Sequence, residues 1–313
     1  MLVRAATREY RTWVADSRNW EFYRPRAGDI IISTYPKCGT TWMQQIVRLL
    51  LTLSTEAVSL PRASPRLDRR SLDPIDCMLQ AFEAQHGRRS LKSHLPLDGL
   101  PLFHHVKYIH VARDGRDACL SYFNHCSRFS KAALAGLDGV GLSDPKISAP
   151  FPRPSASPTE FFHRWLTESA IASQKDGHPF LSFFEFEQTF WSNQTLPNLL
   201  MVHYADLKAD LPGEMRRVAE FLEVSVPSSI WPDLVNAATF ESMRANGNVL
   251  LSGLNEMFEG GGKSFFDRGV NGRWRAIFSS NDLQIYNDKL QSHLGSEGAR
   301  WIASGSISQA AEE

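Results

Sequence analysis

The sequence predicts an α/β fold, a single domain with a central parallel sheet flanked by helices, and three observations carry that reading. Strand-like apolar runs at 29–33, 89–93, 106–112 and 199–204 alternate with helix-like segments at about 40–53, 114–128, 159–173, 179–193, 211–222 and 281–294. Strands that alternate with helices form a parallel sheet covered on both faces, with ligands bound at the carboxyl ends of the strands. The third observation is the string TYPKCGTTW at 34–42, which links the first strand to the first helix.

In a loop at that position, successive backbone N–H groups and the positive end of the following helix converge on an anion. Gly39 lets the backbone approach closely, and Lys37 adds mobile charge. The nucleoside-triphosphatase loop G-x-x-x-x-G-K-[ST] places its lysine after the second glycine. Here Lys37 precedes Gly39, and no glycine lies five residues upstream of it. Taken alone, the segment is either a phosphate cradle of another kind or a strand-to-helix turn with an incidental lysine.

With 313 residues, 34 Lys plus Arg and 34 Asp plus Glu, the chain can bury a large core and has no net charge. Nothing in that balance points to nucleic acid or an anionic membrane as partner. The N-terminus lacks the apolar core of a secretion signal and no apolar run reaches membrane-spanning length, so the expected location is cytoplasmic. The four cysteines have no metal-type pairing. Cys77, Cys119 and Cys126 read as small buried hydrophobes. Cys38, at a helix N-terminus beside a lysine, is where a lowered thiol pKa is expected.

The whole chain, 1–313, reads as one domain with a core at 26–295 and a flexible tail at 300–313. Two stretches rich in turn-forming residues, 131–158 and 245–272, read as loops. Loops that long are lids, binding loops or linkers, and beside a phosphate cradle lids are the favoured reading.

A second constellation lies in RRSLKSHLPLDGL, where Lys92 and His94 fall two residues apart at a strand end. Alternation along a strand puts such residues on one side, so a cation and a base face one site. Downstream, the strand at 106–112 delivers Arg113 at its end, and Ser121 follows about two turns into the next helix. Spacing alone leaves open whether Arg113 and Ser121 share a ligand.

TYPKCGTTW, KSHLPL, RDGRDACLSYF at 113–123 and FFDRGVNGRW at 265–274 together resemble the cytosolic-type sulfotransferases that use 3′-phosphoadenosine 5′-phosphosulfate (PAPS). The likeness runs in family order from 28 to 274. KSHLPLDGL and HYADLKADLPGEMRRVAEFL are also similar to bacterial members acting on lipophilic or glycolipid acceptors. The resemblance implies that the phosphate loop is a PAPS site in which Lys37, Cys38, Gly39, Thr40 and Thr41 hold the 5′-phosphosulfate and Trp42 lies against the adenine. It implies that Lys37, Lys92 and His94 form the catalytic group, that Arg113 and Ser121 grip the 3′-phosphate, and that Tyr204, Thr239 and Phe240 lie near the adenine. Arg268 with Gly269 corresponds to a second clamp on the 3′-phosphate.

The implied chemistry is consistent with the residue types. His94 would take the acceptor hydroxyl's proton, since imidazole titrates near neutrality. Lys37 would stabilise charge growing on the departing phosphate, and Lys92 would neutralise the sulfuryl oxygens. The expected co-substrate is PAPS and the product 3′-phosphoadenosine 5′-phosphate (PAP), with no metal. The expected partner is a small-molecule or lipid or glycolipid hydroxyl acceptor, with no nucleic acid and no membrane span.

Three positions depart from the family pattern. Cys38 stands where serine is usual, Asp267 where arginine is usual, and Arg273 where aspartate is common. The last two suggest a charge exchange in which Arg273 restores the cation lost at Asp267. The K-x-x-x-T-V dimerisation stretch reads RAIFSS at 275–280, which leaves the oligomeric state undecided. The alternatives are an ATP-dependent kinase, which would need lysine after the loop glycines and a metal-holding acid, and a nucleotide-binding module without turnover.

Overall fold

Isoleucines at 30, 31 and 32 show how the sheet is built, because alternate side chains of a strand face opposite ways and here both faces are sealed. Ile30 and Ile32 join Ile109, Val111 and Val202 in one apolar cluster, whereas Ile31 joins Tyr108 and Ala112 in another. The computed structural model describes residues 1–70, 75–261, 265–266 and 269–306. Its strands are β1 (Leu2–Arg4), β2 (Ile30–Ser33), β3 (Ser90–Ser93), β4 (Leu102–Phe103), β5 (Lys107–Ala112) and β6 (Leu199–His203). Four of them form a parallel sheet in the order β3-β2-β5-β6, while β1 and β4 pair antiparallel.

Thirteen helices are described: α1 (Thr40–Thr52), α2 (Leu60–Ala63), α3 (Ile75–Glu83), α4 (Gly115–Cys126), α5 (Lys131–Leu142), α6 (Pro158–Thr167), α7 (Phe183–Trp191), α8 (Tyr204–Ala209), α9 (Leu211–Phe221), α10 (Trp231–Ala237), α11 (Phe240–Ala245), α12 (Gly247–Leu250) and α13 (Ser280–Ser304). Helices α1, α9 and α10 cover one face through Met43, Ile46, Met215, Val218 and Leu234. The other face packs on aromatic rings of α6, α7 and α13, including Trp165, Phe183, Phe186 and Tyr286. At its centre Tyr35 donates its hydroxyl hydrogen to the Leu181 carbonyl at 3.1 Å and accepts the Trp165 Nε1–H at 2.8 Å.

Each expected core strand is present within a residue or two, but several boundaries and segments differ. The stretch 131–158 is not a loop throughout, since its first half is α5, capped by Ser130, whose Oγ accepts the Ala133 N–H at 3.1 Å. Its glycines looked like breakers. Gly141 instead permits close packing, because a Cβ there would lie 2.2 Å from both Trp13 Nε1 and the Ala149 carbonyl oxygen. The stretch 245–272 likewise contains the short helix α12 and a 3₁₀ turn at Asn255–Met257.

The tail expectation also needs correction. Helix α13 runs to Ser304, broken only by non-helical Gly295, and Trp301 and Ile302 are buried in the main core. At the other end, Tyr10, Trp13 and Trp20 are buried as well, so the packed unit begins well before residue 26. Among the described residues no helix is long and apolar enough to cross a membrane.

Candidate active site

The loop between β2 and α1 bends through two left-handed residues, Lys37 (φ 70°) and Gly39 (φ 111°). Glycine adopts that conformation without strain, and a Cβ at Gly39 would lie 3.1 Å from the Tyr204 ring. No side chain caps the N-terminus of α1. Its first N–H groups and the positive end of its dipole are therefore available to an anion. Lys37, Gly39, Thr40, Thr41 and Trp42 line a cavity of about 730 Å³ at the carboxyl ends of the strands. Trp42 is fixed by donating its Nε1–H to the Ala238 carbonyl at 2.7 Å, with its ring edge-on to Tyr204 at 5.4 Å.

Strand β3 brings Lys92 and His94 to the same cavity. The His94 Nδ1–H donates to the Thr34 carbonyl at 2.8 Å. A carbonyl can only accept, so the proton is assigned to Nδ1 and Nε2 is left as the acceptor. Burial, then the cations of Lys92 and Arg66, hold the His94 pKa well below its ordinary value. Lys92 is pushed down to about 8 by burial and by the neighbouring Arg66. The strand end thus presents an uncharged imidazole beside an ammonium whose pKa is pushed down to about 8.

Arg113 emerges at the end of β5, with Nη1 donating to the Lys37 carbonyl and Nη2 to Asn271 Oδ1, both at 3.1 Å. Its guanidinium carbon lies 4.2 Å over the Tyr204 ring. Its Nε is buried with no partner among the described residues. The Gly272 N–H donates to both Asp117 carboxylate oxygens, at 2.8 and 3.0 Å, tying the 269–272 segment to α4. Burial raises the Asp117 pKa. Ser121, Tyr204, Phe240, Gly269 and Arg273 complete this side of the cavity wall.

Not every expected site residue faces the cavity. Cys38 is fully buried in the aromatic core, so its pKa is raised well above the ordinary thiol value by desolvation, contrary to the lowering its position suggested. Its replacement of serine removes no hydroxyl from the cavity wall. Cys119 and Cys126 are buried as expected, but Cys77 is exposed. Thr239 caps α11, its Oγ1 accepting the Ser242 N–H at 3.3 Å, and lies outside the cavity lining. Arg268 and Asp267, and with them the charge exchange with Arg273, lie outside the described residues.

Phe129, Phe151, Phe258 and Phe265 line the cavity, whereas Phe123, on α4, packs on Phe161 at 5.5 Å. Lys37 Nζ sits 3.7 Å from the centre of the Phe265 ring. His125 was missed by the sequence reading. It stands in the same cavity against Phe258 at 4.9 Å and Phe129 at 5.0 Å. Its position four residues after Ser121 on one helix could have indicated a shared face. Arg66, also missed, reaches the site only because its segment pairs with Lys92. No group of three or more His, Cys, Asp or Glu residues able to hold a metal occurs among the described residues.

Residues 27–298 match the Sulfotransferase domain family, and the chain belongs to it. It is a PAPS-dependent sulfotransferase. The ATP-dependent kinase alternative is thereby set aside. A glycolipid sulfotransferase of Mycobacterium tuberculosis is 31% identical over 307 residues, 95% of this chain and 94% of the relative. Human sulfotransferase 1E1 is 24% identical, over 91% of this chain and 88% of that protein. Among solved structures, mouse sulfotransferase SULT7A1 complexed with PAP superposes with a TM-score of 0.66, at 17% identity, covering 91% of this chain and 92% of that one. A retinol dehydratase in complex with retinol and PAP gives a TM-score of 0.67, at 21% identity, covering 89% and 84%. At such identities the structural likeness concerns the fold.

Proposed function

We propose that the chain transfers the sulfuryl group of PAPS to a hydroxyl of a lipophilic acceptor, with glycolipids the first class to test. The observation that carries this reading is the state of His94. With Nδ1–H held by the Thr34 carbonyl, Nε2 makes no hydrogen bond to a described residue and can accept a proton in a cavity that also holds Lys37 and Lys92. The glycolipid relative supports the acceptor class. So do the aromatic rings of Phe129, Phe151 and Phe258 along the cavity wall.

In this reading the backbone of residues 37–41, uncapped by any side chain, takes the 5′-phosphosulfate, while Trp42, Tyr204 and Phe240 bound the adenine region. Arg113, Ser121, Gly269 and Arg268 take the 3′-phosphate. Arg113 Nε, buried and without a partner among the described residues, fits such an anion. His94 Nε2 removes the acceptor proton as the acceptor oxygen bonds to sulfur and the bond from sulfur to the phosphate oxygen breaks. Lys37 stabilises the charge left on that oxygen, and PAP departs. The depressed basicity of His94 is offset when the negative sulfuryl oxygens arrive beside it, because opposite charge favours the protonated ring.

The same reading takes 1–313 as one domain, with 131–158 and 245–272 acting as lids over the acceptor, in a cytoplasmic enzyme. The test is a labelled-PAPS screen over phenols, lipid alcohols, glycolipids and amines, with mass identification of the product. Tight PAP binding without transfer to any acceptor would favour a nucleotide-binding module instead.

A further inference from the structure

The wall of the cavity around Lys92 carries more positive charge than sulfuryl transfer uses. Arg66, Arg69 and Arg70 all line it beside Lys92. Arg70 is committed to the scaffold, donating to the Thr12 carbonyl at 3.0 Å and pairing with Asp144, which Arg11 also contacts at 2.6 Å. Arg66 has a weaker tie, a single contact from Nη2 to Asp68 at 3.2 Å, and its buried Nε has no partner among the described residues. Arg69 is exposed, and no described carboxylate pairs with its guanidinium.

The backbone brings these cations together. Residues 66 and 92 form a parallel bridge, and the Lys92 N–H donates to the Pro65 carbonyl at 2.9 Å, so the arginines stand beside the strand end that carries His94. Three formal positive charges, on Arg66, Arg69 and Lys92, face one described carboxylate, that of Asp68, which is fully buried. Like charges gathered in a partly desolvated wall repel one another, and Lys92, lowered first by burial, is lowered further by Arg66 and to a smaller extent by Arg69, against the opposing effect of Asp68. If Lys92 serves the sulfuryl oxygens, the two arginines remain for something else. Past them the cavity becomes apolar, walled by Leu137, Val140 and Phe151.

We propose that the natural acceptor is an anionic amphiphile: an apolar body along α5, a hydroxyl at His94, and a carboxylate or phosphate held by Arg66 and Arg69. The inference rests on the transfer reading above and narrows its substrate class. Arginine's planar fork suits either oxyanion, and the two sources differ only in which group the acceptor carries.

The test compares matched acceptors with labelled PAPS: octyl glucoside as the neutral compound, octyl glucuronide as the carboxylate, and octyl glucoside 6-phosphate as the phosphate. A preference for either anionic compound of about tenfold or more in kcat/KM is expected, carried by KM and shrinking as salt is added. In the double variant Arg66→Gln with Arg69→Gln the anionic-to-neutral ratio should fall about tenfold, with calorimetric PAP binding used to confirm a folded protein. Arg69→Gln alone, at an exposed position, should lower the ratio in the same direction and provides the reading if the double variant does not fold. Octyl glucoside performing as well as or better than both anionic compounds overturns this inference and leaves the transfer reading intact, as does a ratio unmoved by the variants. Failure to transfer to any of the three, with PAP still bound, overturns the hydroxyl-transfer reading and this inference together.

Discussion

Two histidines on the strands flanking β2 show how the same anchoring leads to opposite roles. His94 donates Nδ1–H to the Thr34 carbonyl at 2.8 Å, and His110 donates Nδ1–H to the Ser33 carbonyl, the preceding one, at 2.9 Å. They differ in what the second nitrogen meets. His110 Nε2 lies 2.9 Å from Glu187 Oε2, its ring stacks on Phe190 at 3.9 Å, and the residue is sealed from solvent. His94 has its second nitrogen in the cavity, near the cations of Lys92 and Arg66. A histidine with both nitrogens satisfied is part of the scaffold; one with a single nitrogen satisfied is oriented for work.

The comparison is open to direct attack. His110→Ala should leave the Glu187 carboxylate buried without its partner and cost about 3–5 kcal/mol, seen as a lower midpoint in chemical unfolding. The corresponding loss at His94 is a single backbone hydrogen bond, about 1 kcal/mol. Equal destabilisation by the two variants would erase the distinction. Arg113→Ala should weaken PAP by about 1.5–3 kcal/mol in calorimetry, the usual range for a charge-assisted contact to phosphate. Unchanged affinity would mean that the unpartnered Nε serves another ligand.

The pH profile sharpens the electrostatic side. Lys92 is charged below its pKa, so kcat/KM of the free enzyme should decline as pH rises through about 8. Lys92→Arg should move that limb upward. His94 must be neutral to act, and its pKa is depressed, so the acid limb should lie below the ordinary histidine value. The smallest expected effect is on donor binding in Cys38→Ser. The thiol points into the core, so PAP affinity should stay within about twofold while stability falls by about 1–3 kcal/mol for a buried hydroxyl without a partner. A large change in affinity would place that side chain at the donor.

Much of this architecture was legible in the sequence because the signals are local. The isoleucine run of β2, the glycine and lysine of the loop, and the spacing of Lys92 and His94 each follow from short-range geometry. Where the reading failed, the deciding contacts were distant in the chain. Gly141 resembled a helix breaker until Trp13 and Ala149 were found against it. Cys38 has the local setting of an acidic thiol, yet the aromatic core around it reverses the expectation. Trp301 lies within the stretch read as a tail, yet it is buried, its ring tilted against Trp191 at 5.4 Å. Arg66 had no local signal at all, since only the pairing of its segment with Lys92 brings it to the site.

The central claim is that His94 Nε2 receives the acceptor proton. The most direct measurement is single-turnover transfer of labelled sulfuryl from enzyme preloaded with PAPS, comparing the wild type with His94→Ala while PAP affinity is followed in the same preparations. The account predicts a chemical step slowed by a factor of about 10² or more with PAP binding little changed. Transfer at close to the wild-type rate would contradict it.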